Sequence, residues 1–117
     1  MPYRRILETL LARVAGARTA LLLDVQGEVV VGAGDLGERQ RLIGAYQGIA
    51  LGMVSRAAQR VGGGEVKAVV SRHVGGSVVL TTLKDGYSLV VSLDRLAFPA
   101  VAARQCQDAR ARLDEEI

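Results

Sequence analysis

The sequence predicts an α+β domain in the order helix, strand, strand, helix, strand, strand, strand, helix. A five-stranded antiparallel sheet carries one long helix on one face and the two terminal helices on the other. Three observations predict this. Residues 39–61 place apolar side chains at helical spacing over more than five turns. Residues 19–25 and 87–93 contain unbroken apolar runs, Ala20-Leu21-Leu22-Leu23 and Leu89-Val90-Val91, of the kind found in strands covered on both faces. The last three strands are joined by short glycine-containing turns, Gly75-Gly76 and Lys84-Asp85-Gly86, which allow only antiparallel neighbours.

The first helix covers residues 4–14. Ile6, Leu7, Leu10, Leu11 and Val14 share its inner face, Arg4, Arg5, Glu8 and Arg13 point away, and Gly16 follows as its terminator. Residues 19–25 form the first strand, Gln26-Gly27 the turn, and residues 28–31 the returning strand of a hairpin. Residues 32–37 connect it to the long helix, which Gly62-Gly63-Gly64 ends. Strands follow at 66–74, 77–83 and 87–93; Lys67 and Arg72 give the first of these either one wetter side or an edge position. Pro99 opens the last helix, where a first-turn proline belongs. Its inner face is Phe98, Ala102, Cys106, Ala109, Leu113 and Ile117, Asp108 can pair with Arg112, and the acidic end Asp114-Glu115-Glu116 is expected to fray against the helix dipole.

The long helix has two unlike sides. Leu42, Tyr46, Ile49, Met53 and Ala57, flanked by Ile43, Ala50, Val54 and Val61, are expected to lie on the core. On the other side Gly44, Gly48 and Gly52 repeat every fourth residue beside Arg41, Ser55 and Gln59. Three glycines inside a helix cost about 3 kcal/mol relative to alanine. A bare row of this kind lets another backbone come close, so this side is read as a docking surface. Arg41, Gly44, Gly48, Leu51, Gly52, Ser55 and Gln59 are its candidate partner contacts, with Leu51 as an exposed apolar residue among them.

Composition narrows the function. The 117 residues suit one domain spanning the whole chain, carry a net charge of +3, and are half hydrophobic without any stretch approaching the roughly 20 apolar residues of a membrane span. Glu8 and Arg13 interrupt the N-terminal apolar positions too early for a secretory signal, and a lone cysteine makes no internal disulfide, so a cytoplasmic setting without membrane insertion is expected. The basic residues are mostly arginine and are dispersed, and with one Phe and no Trp there is little to stack on bases, which argues against nucleic acid.

Catalytic chemistry is sparse. His73 is the only histidine and Cys106 the only cysteine, too few soft or imidazole ligands for a metal site. His73 reads as a surface histidine at a strand end and Cys106 as a small core residue. No serine stands in a nucleophile motif and no carboxylate pair is marked out for acid–base work, so no enzyme activity and no cofactor are expected. One motif competes: Gly32-Ala33-Gly34-Asp35-Leu36-Gly37 matches G-x-G-x-x-G between a strand and a helix, the context in which backbone N–H groups cradle a pyrophosphate. Against it, the preceding strand belongs to a hairpin, Asp35 would repel phosphate, and the region where an acidic ribose contact should follow is helix.

Leu22-Leu23-Asp24-Val25-Gln26-Gly27-Glu28-Val29-Val30, the small-residue-rich long helix, and Leu83-Lys84-Asp85-Gly86-Tyr87-Ser88-Leu89-Val90-Val91 together resemble the roadblock family of dynein light-chain proteins, in particular its bacterial single-domain members. The resemblance runs from end to end and implies the roadblock, profilin-like fold. It also implies a dimer, with itself or with a relative, in which strand 66–74 pairs with its counterpart through Lys67, Val69, Ser71, Arg72 and His73. The long helices would then lie side by side and present a face to a Ras-like small GTPase. On that implication the chain is a non-catalytic regulatory or scaffold module. The alternatives are a nucleotide-binding protein using residues 32–37 and a purely structural assembly subunit.

Overall fold

A computed structural model describes residues 2–117, apart from the side chains of residues 39–48. Helix α1 (Pro2–Arg13) begins on its proline, where a missing N–H costs nothing. Strands β1 (Ala17–Leu23) and β2 (Val29–Gly34) form the first hairpin. The long helix α2 (Glu38–Arg60) leads to β3 (Ala68–His73), β4 (Gly76–Thr82), a single 3₁₀ turn (Lys84–Gly86), β5 (Ser88–Asp94) and α3 (Pro99–Glu116). The sheet order is β2-β1-β5-β4-β3, and every pairing is antiparallel. The predicted α+β architecture is the one observed.

Strict alternation along the central strands builds two cores. Ala20, Leu22, Val79, Leu89, Val91 and Leu93 point to one face, where Ile6, Leu7 and Leu10 of α1, Val14 just after it, and Ala102, Cys106, Ala109 and Leu113 of α3 cover them. Leu21, Leu23, Val78, Leu80 and Val90 point to the other, where Leu51 of α2 and Val69 of β3 pack against them. This is why β1 and β5 read as continuous apolar runs: both faces are dry.

The β1–β2 turn is held by Asp24, whose Oδ1 accepts the N–H of Gln26 at 2.9 Å and of Glu28 at 3.0 Å. Val25 is therefore in the turn rather than in the strand. At the other end β2 continues through Gly32, Ala33 and Gly34, which face Leu21, Ala20 and Thr19 of β1. Gly34 has φ +85°, and a Cβ there would run into the carbonyl oxygen of Arg18.

Three local expectations are corrected. Phe98 does not join the inner face of α3; it precedes the first helical turn with its ring exposed, and its carbonyl accepts the N–H groups of Val101 and Ala102. The ion pair on α3 is Arg110–Asp114 at 3.6 Å rather than Asp108–Arg112. The acidic end is tethered rather than frayed: Asp114 Oδ1 accepts the Lys84 N–H at 2.8 Å, and the Tyr3 hydroxyl donates to the Glu116 carbonyl at 2.7 Å.

Candidate interaction surface

The long helix α2 is turned the opposite way from the sequence reading. Ile49 is 63% exposed, Met53 61% and Val61 82%; Val54 and Ala57 are exposed too. Ile49, Met53, Ala57 and Val61 are spaced by four, so they form one apolar stripe down the outward side of α2. Leu51, expected outside, is half-buried against the second core, and Ser55 and Ala58 are half-buried on the same side. The cause lies in helix geometry. At 100° per residue, Leu51 stands about 200° from Ile49, so the helix has an apolar group on both sides and the sheet takes the shorter one. Gly52 lies between the two sides, half-buried, and a Cβ on it would meet only the tip of Arg56 at 3.4 Å. Arg41, Leu42, Ile43, Gly44, Tyr46 and Gly48 lie outside the residues whose side chains are described.

Leu51, Ser55 and Gln59 also line a cavity of about 490 Å³ beneath the C-terminal half of α2. Its floor and far wall come from Val66, Leu83, Tyr87 and the Arg110–Asp114 pair. Of the predicted partner contacts, Gln59 is exposed, and Leu51 and Ser55 belong to the seam between helix and sheet.

The second feature is β3. Among the described residues it has β4 on one side and no strand on the other. It is shorter than expected, but Thr82 extends its bond pattern by donating N–H to the Lys67 carbonyl at 3.0 Å and Oγ1–H to the Val66 carbonyl at 2.8 Å. Val69 and Ser71 are half-buried on the α2 side; Lys67, Arg72 and His73 are exposed. All five residues assigned to pairing with a second chain thus lie on or beside an edge strand.

The glycine-rich motif does not make a phosphate cradle. Half of it, Gly32-Ala33-Gly34, is β-ladder, and Thr19 Oγ1 donates to the Asp35 carbonyl at 2.6 Å, fixing the exit from the strand. The Asp35 carboxylate accepts the Gly37 N–H at 3.1 Å, so it occupies a donor that a phosphate would need. Cys106 is buried on the α3 side, and its thiol is pushed up to about 11 from 9.0 by burial, against a smaller opposing effect of the Thr81 hydroxyl. His73 is exposed beside the β3–β4 turn. Among the described residues, no group of three or more histidine, cysteine or carboxylate side chains is placed to hold a metal ion.

Comparison with known structures places the fold. The chain is similar to a Roadblock/LC7 domain from Streptomyces avermitilis (TM-score 0.86, 23% identity, covering 96% of this chain and 94% of that one). It is similar to MglB of Myxococcus xanthus (0.84, 17%, 97% and 92%). It also resembles an MglB described as having a tetrameric arrangement (0.84, 19%, 95% and 84%). A sequence search of curated proteins finds no match. The Roadblock/LC7 domain family model matches residues 5–93, most of the chain, and the chain belongs to that family.

Proposed function

We propose that this chain is a dimeric regulatory scaffold that binds a Ras-like small GTPase, and that it contributes no catalytic group of its own. The observation that carries this reading is the outward stripe Ile49-Met53-Ala57-Val61, an apolar face on a helix whose other side already packs on the sheet. A single chain leaves that stripe in water, and contiguous exposed apolar surface of this kind marks a protein contact. Two further features support the reading: the edge strand β3, which a second copy can extend through Lys67, Val69, Ser71, Arg72 and His73, and membership of the Roadblock/LC7 family. The similarity to an MglB with a tetrameric arrangement is in keeping with self-association.

In this proposal Ile49, Met53, Val54, Ala57 and Val61 make the principal contacts, both with the long helix of the second copy and with the GTPase that the paired helices receive. Gly52 and Gln59 flank them. Leu51 and Ser55 hold the helix to the sheet.

The test is binding to the Ras-like GTPases of the source organism, each loaded with GDP or a non-hydrolysable GTP analogue. A complex with at least one of them that Met53→Glu abolishes supports the proposal. Binding that persists in Met53→Glu, or no complex with any GTPase in either state, overturns the GTPase assignment.

A further inference from the structure

The open edge of β3 has a bonding pattern of its own. Thr82 donates its N–H to the Lys67 carbonyl, so these two residues form a bonded pair of the β3–β4 ladder. Bonded and unbonded pairs alternate along antiparallel strands. Val69, Ser71 and His73 therefore turn their backbone groups toward β4 as well, and Ala68, Val70 and Arg72 turn theirs to the open edge. The side chains of these last three lie on the α3 face of the sheet, because Val70 stands opposite Val79 of that core. All three are exposed.

A strand added to this edge must bring outward groups against outward groups. For a second copy related by a two-fold axis, the axis then passes through a residue of β3 and not between two. Centred on Val70, every outward residue finds an outward partner inside the strand: Val70 meets its own counterpart, and Ala68 meets Arg72 in both directions. Centred on Val69, Arg72 would face Val66, whose carbonyl already accepts the Thr82 hydroxyl. Centred on Ser71, Ala68 would face Val74 in the β3–β4 turn, and centred on Ala68, Arg72 would face Gly64 outside any strand. Centred on Arg72, two guanidinium groups would stand directly opposite each other, which is destabilising. The Val70 centre also suits the side chains. The two exposed valines cover each other, and the long Arg72 side chain lies over the small Ala68. On the α2 face Val69 stands opposite Ser71, and Lys67 opposite His73. Val74, 99% exposed, comes level with Val66, which lines the cavity under α2.

We propose that this edge takes a second copy of this chain, rather than a relative, as an antiparallel strand in the register centred on Val70. The inference rests on the dimer reading above and names its partner and its pairing. The edge is complementary to itself: a small residue, a branched one and a long one follow each other so that a half-turn matches the small to the long and the branched to its own copy.

The experiment is disulfide trapping in the full chain, beside light scattering of the parent. Opposite residues in a bonded pair have Cα atoms about 5.5 Å apart, within disulfide reach. Residues offset by two along the strands are about 8 Å apart, beyond it. The native Cys106 is buried and is expected to give no crosslink. The parent is expected to scatter as a dimer, and Val70→Cys, on mild oxidation, to run at twice the monomer mass on a non-reducing gel. An equimolar mixture of Ala68→Cys and Arg72→Cys chains should give the same band, and neither alone should. The three positions are exposed, so these variants keep the fold, checked by circular dichroism. A dimer in which Val70→Cys stays uncoupled alone but couples when mixed with Ala68→Cys or Arg72→Cys overturns the register and leaves the edge pairing. A dimer that none of these variants traps overturns pairing through β3. A parent that is monomeric at every concentration overturns the dimer reading, and this inference with it.

Discussion

At the scale of single residues, the α3-side core holds two polar groups with measurable consequences. Thr81 Oγ1 is buried and makes no full hydrogen bond, its polar neighbour being the Cys106 thiol. An unsatisfied buried hydroxyl costs about 1–3 kcal/mol. Thr81→Val keeps the shape and suits a strand, so it is expected to raise the denaturant midpoint by the equivalent of about 1 kcal/mol, measured by urea unfolding. Cys106 is neutral when folded, and its thiol ionises at about 11 rather than 9.0. The unfolded chain therefore loses this proton first as pH rises. The stabilising contribution is full below 9.0 and is lost between 9.0 and about 11. Cys106→Ala should flatten that alkaline decline in melting temperature while lowering stability at neutral pH, and the native thiol should resist alkylating reagents until the protein unfolds. Gly34, at the exposed end of β2, is a third position with a measurable consequence. Alanine at φ +85° against the Arg18 carbonyl should cost about 1–3 kcal/mol, read from the same urea curves.

At the scale of elements, legibility followed how one-sided each pattern is. Helix α1 has one apolar face: of the five residues its spacing marks, Ile6, Leu7, Leu10 and Val14, the last just past the helix, are buried, and Leu11 is half-buried. The unbroken runs in β1 and β5 identified the central strands because burial on both faces removes alternation. Helix α2 defeated the same reasoning. Its longer apolar stripe faces outward, and periodicity alone does not tell a buried stripe from an exposed one. Strand β2 was cut short because Gly32 and Gly34 look like loop residues, although one lies in register and the other is required by close approach to β1. Phe98 looked like core because it falls in phase with Ala102 and Cys106, but helix α3 begins after it. The candidate site was legible as an element, the long helix, and not as a face. Paired substitutions separate the two faces: Leu51→Ala should lower stability by about 1–2 kcal/mol for a half-buried leucine, whereas Met53→Ala should leave the urea midpoint of the isolated chain nearly unchanged.

At the scale of the whole molecule, the two-core slab satisfies its sheet faces internally and leaves exposed one apolar helix stripe and one strand edge, which the proposal assigns to other chains. Folding and association thus draw on different residues of α2, and a substitution can remove the second without the first. Light scattering combined with thermal melting, applied to the parent chain and to Ile49→Glu with Met53→Glu, tests this most directly. The account predicts that the parent scatters as a dimer and melts higher as its concentration rises, whereas the double variant associates more weakly and melts like the parent diluted to monomer. A double variant that unfolds at markedly lower temperature as a monomer, or a parent that is monomeric at every concentration, would contradict it.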